Sequence, residues 1–423
     1  MAWSQPPASG FVRLVSSRTF DEIYTVSPGE PGDAFGLLIG GGDFFSRTDE
    51  RDLVIGAPGA RAAADGGPPH GSVWAVDADT GELLASIDGD DLAGGPVWHL
   101  GQSIGVLGHP TRTAQAWWAL GAPGAPGAPT QGVVIVTGDE ALSERYRLRG
   151  PRGALFGWMT FTLASDVDGD GPATLEFVVT APLEGRKGRL AEAGAVSLYS
   201  AIDGRRLWKV RGPHRKARFG YSAFVTTDSD GDGVNDFWVG APGSPSEGVS
   251  GAVFLLSGRD GSRLQTVNAP PGADLFGFGL QPVGDVDADA RQDFMISAPG
   301  AARGRRQQAG SVYLRSGATG EWLAEWHGRA AGQRLGVALG AGATGDGAKR
   351  WALIGSVLDR GGAPGRGRAD VYSPYDRRNV SFTGTVAGQY LGASVRGLPD
   401  ADGDSWPDLL IASPGAPPIF VPE

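Results

Sequence analysis

The chain has no cysteine in its 423 residues, so no disulfide can hold it and a cysteine-based zinc site is excluded. Histidine is scarce as well. The five residues His70, His99, His109, His214 and His327 share no metal-ligand spacing. No run of 18 apolar residues occurs, which leaves no candidate for a membrane-spanning helix. The opening Met1-Ala2-Trp3-Ser4-Gln5-Pro6-Pro7 lacks the parts of a signal peptide, so the chain reads as a mature form or an excised domain. Positive charge is in deficit. The net charge of −10 argues against nucleic acid as the main partner, and the basic stretch Arg205–Arg218 reads as a solvated strand and loop. Helical periodicity is missing too: apolar residues alternate with polar ones in short runs, the period of half-buried strands.

What the chain does have is aspartate at one spacing. Asp228/Asp230/Asp232/Asp236, Asp285/Asp287/Asp289/Asp293 and Asp400/Asp402/Asp404/Asp408 each occupy positions 1, 3, 5 and 9 of a loop followed by an apolar run. Four carboxylates so close repel one another by roughly 3 kcal/mol per pair at ~5 Å and an effective dielectric of ~20. Asp and Gly also make ordinary turns, but turn chemistry does not require four acids in one register three times. A hard divalent cation does: alternate residues of a curled loop point into one oxygen cage, the spacing used for Ca²⁺. The ninth-position Asp closes the cage, and position seven (Val234, Arg291 or Trp406) would add its carbonyl. An EF-hand is excluded, because its twelfth position needs Glu and here holds Val239, in a strand pattern. A fourth loop, Asp166/Asp168/Asp170, carries two extra residues and ends on Glu176, making a possible fourth Ca²⁺ site.

These loops sit inside an internal repeat. A large apolar residue followed by Gly recurs at Phe35-Gly36, Leu100-Gly101, Phe156-Gly157, Phe219-Gly220, Phe276-Gly277, Leu335-Gly336 and Leu391-Gly392. About twenty residues after each comes an apolar run ending in a Gly-Ala-Pro-like segment, such as Val239-Gly240-Ala241-Pro242. An alternating strand opened by Gly follows, as at Gly251 and Gly310, and then a hairpin Gly, as at Gly261 and Gly320. Each period holds four short strands, one propeller blade. The 70 Gly and 30 Pro, which without a period would suggest disorder, read as turns between strands. The expectation is a single all-β domain over residues 1–423, a seven-bladed β-propeller of four-stranded antiparallel blades with repeats beginning near 35, 100, 156, 219, 276, 335 and 391. Residues 10–28 resemble the later part of a repeat, and would complete the last blade and close the ring.

The three linked motifs, in matching phase over roughly residues 10–421, are similar to the FG-GAP repeat family, typified by the propeller of integrin alpha chains. That resemblance implies Ca²⁺ loops between the first two strands of a blade and a partner on the other face. Several repeats depart from the pattern. The second has no acid between His109 and Trp117. The sixth has only Asp346, with Trp351 where the closing Asp belongs. The first keeps Asp52, but Asp43 and Asp49 are out of phase. The loops at Asp285 and Asp400 lack the usual sixth-position Gly, having Ala290 and Ser405.

Motifs suggestive of catalysis have simpler explanations. Gly101-Gln102-Ser103-Ile104-Gly105 matches a nucleophile elbow, yet nothing here alternates strand and helix, and Ser222 and Ser394 occupy the same phase in other repeats. Trp74, Trp208 and Trp238 fall within strands and should pack between blades, whereas Trp98, Trp326 and Trp406 fall in or beside loops. Four bound Ca²⁺ would offset eight of the ten net negative charges, so the acidity is largely a metal requirement. The segments facing away from the Asp loops, among them Gly59–His70, Leu183–Ala193, Gly300–Ala309 and His327–Gln333, vary most, as binding loops on a rigid scaffold do. The functional expectation is a Ca²⁺-binding, monomeric adhesion module that is extracellular, at the cell surface or periplasmic. It would have structural metals, a protein or glycan partner opposite them, and no catalysis. The alternatives are a lectin-like propeller and a polysaccharide-degrading enzyme on the same scaffold.

Overall fold

Most described strands of this protein are five or six residues long, and many end at a glycine, a proline or an Asp loop. The computed structural model describes residues 10–414 except 17, 28–34, 37, 43–51, 61–68, 78–79, 93–94, 109–116, 125–129, 139–141, 170, 172–174, 186–189, 344–349, 358–364, 373–378 and 399–407. The chain begins with β1 (Phe11–Val15) and β2 (Glu22–Val26). Then come β3 (Leu38–Gly42), β4 (Asp52–Ala57), β5 (Ser72–Asp77) and β6 (Leu83–Asp88). The second repeat gives β7 (Ser103–Gly108), β8 (Trp117–Ala122), β9 (Gln131–Thr137) and β10 (Glu144–Arg152). The third gives β11 (Thr160–Thr162), β12 (Glu176–Ala181), β13 (Ala195–Ser200) and β14 (Arg206–Arg211). The fourth gives β15 (Ser222–Val225), β16 (Phe237–Ala241), β17 (Ala252–Leu256) and β18 (Arg263–Asn268). The fifth gives β19 (Leu280–Gly284), β20 (Asp293–Ala298), β21 (Ser311–Arg315) and β22 (Trp322–His327). The sixth gives β23 (Ala338–Ala343), β24 (Arg350–Ser356), β25 (Arg368–Tyr372) and β26 (Asn379–Thr383). The last strands are β27 (Ser394–Leu398) and β28 (Asp408–Ser413).

They form seven four-stranded sheets, six of them in simple meander order. The seventh has the order β2-β1-β28-β27, with β1 antiparallel to β28 from Phe11↔Ser413 to Val15↔Leu409. The N-terminal pair thus completes the last blade, as the repeat phase predicts. The fold is a seven-bladed all-β propeller with four-stranded antiparallel blades. The chain falls into two compact units. One comprises Met1–Ile39, Asp79–Gly81 and Ala269–Val421, and the other Gly40–Ala78, Glu82–Asn268 and Pro422–Glu423.

Within each unit the second strand of a blade is buried on both faces, as β8, β12, β20 and β28 show along their whole length. Alternate residues serve different neighbours. In the 40–268 unit, Trp118 and Leu120 join one cluster with Val54 and Val73, whereas Trp117 and Ala119 join another with Phe177 and Val179. In the other unit, Phe11, Val15, Trp351, Leu353, Leu409 and Ile411 share a cluster. Each such side chain contributes about 1.5–3 kcal/mol through burial. Fourth strands are half-buried, as in β14 and β22, or exposed, as in β18.

Blade-to-blade junctions rest on glycine. The Gly of each described apolar-Gly motif lies at positive φ, from +81° at Gly392 to +92° at Gly336. Its amide bonds to the Gly-Ala-Pro-like run of its own repeat: Gly157 to the Thr180 carbonyl, Gly336 to Gly355 and Gly392 to Ala412, all at 2.9–3.0 Å. The preceding apolar residue bridges the third strand of the repeat before it, as in Gly194↔Phe219, Gly310↔Leu335 and Gly367↔Leu391. A Cβ on Gly310 would lie 2.3 Å from the Leu335 nitrogen, and one on Gly355 would lie 2.0 Å from the Gly392 carbonyl oxygen.

These distances separate two costs of replacing a glycine. Gly310→Ala should lower stability by roughly 2–4 kcal/mol, because strain at φ +85° adds to a backbone clash. Gly272→Ala, at φ +76° with open space around it, should lose only about 1 kcal/mol. Urea unfolding midpoints compare them. Equal losses would show that backbone conformation alone, and not the junction, demands glycine.

Candidate metal centre

The loop joining β15 to β16 curls because its carboxylates accept its own amides. Asp228 takes the Gly231 amide at 2.7 Å and the Gly233 amide at 2.9 Å, and both glycines are at positive φ. These amides hold the Asp228 carboxyl below its ordinary range, Gly233 contributing most. Asp232 accepts the Val234 amide at 2.8 Å, with the Val234 side chain buried. The curl brings carboxylate oxygens of Asp228, Asp230 and Asp236 within 4.8 Å of one another. Asp285, Asp287 and Asp289 are gathered in the same way in the next blade, and Asp166, Asp168 and Glu176 in the third. Asp285 repeats the fold of Asp228, accepting the Asp289 amide at 3.1 Å and the Ala290 amide at 2.9 Å. Here Ala288 and Ala290 take the positive-φ positions, a strained substitute for glycine. Arg291 at position seven donates its amide to Asp289 at 2.8 Å. Asp170, Asp400, Asp402, Asp404 and Trp406 lie outside the described residues.

The closing acids differ from the rest in burial. Asp236, Asp293 and Asp408 are fully buried and Glu176 nearly so, each at or just before the start of a second strand. Asp236 accepts the Ser229 amide at 2.7 Å and the Gly258 amide at 3.2 Å, and Asp293 takes the matching pair, Val286 at 2.6 Å and Gly317 at 2.9 Å. Burial nevertheless pushes both carboxyls above the ordinary range, and Glu176 up to about 7. Glu176 Oε2 is buried and lacks a hydrogen bond among the described residues. Buried carboxylates facing further carboxylates call for a compensating cation. An all-oxygen donor set suits Ca²⁺ or Mg²⁺ rather than a softer metal. The residues therefore fit such an ion, which would be held by the carboxylates of each loop and supply the missing positive charge.

No protein-family model matches the chain. Among curated proteins, integrin alpha-V of Gallus gallus is 32% identical over 189 residues, 40% of this chain and 17% of that protein. Human integrin alpha-IIb is 30% identical over 224 residues, covering 48% and 20%, and integrin alpha-4 of Xenopus laevis is 29% identical over 281 residues, covering 63% and 25%. This chain resembles integrin alpha chains. It spans a quarter or less of the length of these relatives. Of solved structures, the C-terminal WD40 domain of Sif2 aligns over 96% of this chain and 91% of that one, with a TM-score of 0.49 and 13% identity.

Two blades of the integrin-like propeller replace the closing acid with tryptophan. Strand register places Trp117 at the head of β8 and Trp351 near the head of β24, where β20 and β28 begin with Asp293 and Asp408. Trp351 is 2% exposed and meets Phe20 edge-on at 6.3 Å. The Arg145 guanidinium lies over the Trp117 ring at 4.2 Å. Where the loop lacks its acids, an aromatic side chain fills the space at the same position.

Spacing within the loops could not reveal the side chains that reach their carboxylates from other hairpins. Ser257 and Ser316, at the ends of third strands, point hydroxyls at Asp232 (3.5 Å) and Asp289 (2.9 Å). Arg259 donates to an Asp232 oxygen at 3.0 Å, and Arg205 to Asp168 at 2.9 Å. The Ser-Gly pair in that phase was the available signal. Elsewhere, Asp88, Asp90 and Asp91 form an acidic triple outside the repeat phase, and Asp88 accepts Ser72 Oγ at 2.5 Å. Ser103 opens β7 and donates to the Gly157 carbonyl at 2.9 Å. Trp208 stacks on Phe237 at 5.7 Å, and Trp326 lies within β22, against Tyr372 at 5.4 Å. The basic stretch is largely neutralised: Lys209 pairs with Glu184 at 2.5 Å, Lys216 with Glu192 at 2.6 Å and Arg215 with Glu247 at 3.1 Å.

The two kinds of closing residue should respond differently to metal. Asp236→Asn should lose about 2–3 kcal/mol of stability in saturating calcium and less than ~1 kcal/mol in chelator. Trp351→Ala should lose ~3–5 kcal/mol in both. Chemical unfolding of each variant, with and without calcium, tests this. An Asp236→Asn loss that ignores calcium would make that residue a turn former rather than a ligand.

Proposed function

We propose that this chain is a calcium-binding, extracellular propeller that acts as a binding module of the adhesion type. Its metals are structural, with Asp228, Asp230, Asp232, Asp236 and the Val234 carbonyl serving one ion. Asp285, Asp287, Asp289, Asp293 and the Arg291 carbonyl serve a second. Asp400, Asp402, Asp404, Asp408 and the Trp406 carbonyl serve a third, and Asp166, Asp168, Asp170 and Glu176 a fourth. The observation that carries this reading is the buried closing carboxylate, recurring at one strand position and raised by desolvation. A group so placed contributes to stability only when a cation sits in front of it. The likeness to integrin alpha chains supports an adhesion-type role.

Topology supports placing the partner away from the metals. In an antiparallel meander the first-to-second and third-to-fourth connections share one end of the blade, and the other two connections share the opposite end. The Asp loops occupy the first end, tied to the third-to-fourth turn by Ser257 and Ser316. The longer connections are free to carry recognition. No catalytic role is assigned to any residue.

The test is a thermal melt of chelator-treated protein across a Ca²⁺ titration, with Mg²⁺ as control. At ~100 Kd of calcium each occupied loop adds ~2.7 kcal/mol, so the midpoint should climb steeply with Ca²⁺ and little with Mg²⁺. A midpoint indifferent to calcium would reduce the aspartates to solvated turns and remove calcium from the function.

A further inference from the structure

The two long connections of the fifth blade carry charge of one sign. Between β20 and β21 the chain reads Arg303-Gly304-Arg305-Arg306-Gln307-Gln308, and between β22 and β23 it reads Arg329-Ala330-Ala331-Gly332-Gln333-Arg334. Neither segment contains an acid, in a protein of net charge −10. Because the sheet is antiparallel throughout, both connections leave it at the end opposite the Asp285–Asp293 loop.

The arginines stand on a fixed platform. Arg303 and Arg306 exchange backbone hydrogen bonds at 3.0 and 3.1 Å, closing the first loop on itself. The loops are then zipped together: the Gly332 amide donates to Gln307 at 2.9 Å, and the Arg334 amide to Gln308 at 3.0 Å. The Arg334 guanidinium adds a bond to Gln308 Oε1 at 3.3 Å. Buried Gln333 holds the second loop from inside, its side-chain oxygen accepting the amides of Arg329 at 2.6 Å and Ala330 at 3.3 Å. Arg303, Arg305, Arg306 and Arg329 are exposed.

Among the described residues, no ion pair joins any of these five arginines to a carboxylate. Glu325, on β22 of the same blade, pairs with His327 at 3.4 Å. The contrast is with the third blade, where Glu184 and Glu192, joined by Glu247 of the fourth, neutralise the cations at the same end. Clustered guanidinium groups repel one another, and a polyanion relieves that repulsion.

We infer that this platform binds an anionic polysaccharide through its repeated sulfate or carboxylate groups. The planar guanidinium fork matches both anions bidentately. Gln307 and Gln308, both exposed, add donors and acceptors for sugar hydroxyls. A peptide partner would need an apolar anchor, and neither loop exposes a large hydrophobic side chain. The inference rests on the proposed placement of the partner opposite the Asp loops and names its chemistry.

The experiment is retention of the full chain on immobilised heparin in calcium, at ~0.1 M and ~0.5 M salt, where screening lengths differ about twofold. Retention is expected at low salt and release at high salt. Combined Arg303→Ser, Arg305→Ser and Arg306→Ser should weaken heparin binding about tenfold or more. The calcium-dependent melt of that variant should match the unaltered protein. Arg211→Ser with Arg215→Ser, at the neutralised end of the third blade, should leave binding intact. Soluble hyaluronate separates the anions: competition with heparin shows that carboxylates suffice, and its failure shows that sulfate is required. Unchanged retention of the triple variant would overturn the inference, as would polyglutamate or duplex DNA binding as tightly as heparin. Absent retention beside a full calcium-dependent melt would overturn it and leave the calcium propeller standing.

Discussion

Close backbone approach at glycine is the constraint on which this fold depends. Two glycines recur in every repeat, that of the apolar-Gly motif and the one that opens the third strand, and the first, second, fourth and sixth repeats add a third in the Gly-Ala-Pro-like run. At Gly56, Gly121 and Gly355, a Cβ would come within 2.0–2.2 Å of the carbonyl oxygen of the next repeat's motif glycine. No side chain fits at these three positions, so packing requires glycine there, whereas Thr180, Ser297 and Ala412 stand in the same phase of the other repeats. The same contact fixes the apolar partner. With its backbone pinned by bonds such as Leu391 to the Arg366 carbonyl at 3.0 Å, that residue must bury its side chain between blades. One local motif thereby sets both the backbone path and the packing of the core.

The Asp loops hang from this frame, and their closing position shows how one fold solves one problem in two ways. A residue at the head of the second strand is buried whatever its chemistry. If it is Trp117 or Trp351, burial itself is favourable, because the side chain is apolar and large. If it is Asp236, Asp293 or Glu176, burial raises the carboxyl and favours the neutral form. Two backbone amides per aspartate offset only part of that cost. The remainder is what a divalent cation would supply. The residue at this position thus decides whether burial there is favourable by itself or leaves a carboxylate that a cation would offset.

Most of the fold was legible because its signals are local and periodic. Seven apolar-Gly pairs, the Gly-Ala-Pro-like runs and the hairpin glycines foretold the seven sheets, and the half-repeats at the ends foretold the β1–β28 pairing. The loop curl was legible as well, since alternate aspartates in a glycine-rich turn capture their own amides. The groups that reach the loops from elsewhere were not. Ser257, Ser316, Arg259 and Arg205 arrive from hairpins tens of residues away, and nothing in the Asp spacing points to them. Trp326 was misplaced beside a loop because apolar alternation locates a strand without fixing its last residue. The arginine platform was also missed. Two segments twenty residues apart read as separate polar loops until backbone bonds from Gly332 to Gln307 and Arg334 to Gln308 join them.

The fifth blade consequently carries opposite charge at its two ends, aspartates at one and arginines at the other. Strands of five or six residues, at about 3.3 Å per residue, separate those ends by roughly 17–20 Å. That is about twice the ~8 Å screening length at physiological ionic strength. The fields of the two ends therefore act almost independently. Carboxylates at one end do not repel an anion docking at the other, and filling the acidic end with cations does not alter the charge an anion meets. Any link between the two must pass through the stability of the blade itself: a cation that holds β19, β20 and the start of β21 together also fixes the strands from which the arginine loops spring. A propeller blade so arranged would keep a cation and an anionic ligand electrically apart while letting one depend on the other mechanically.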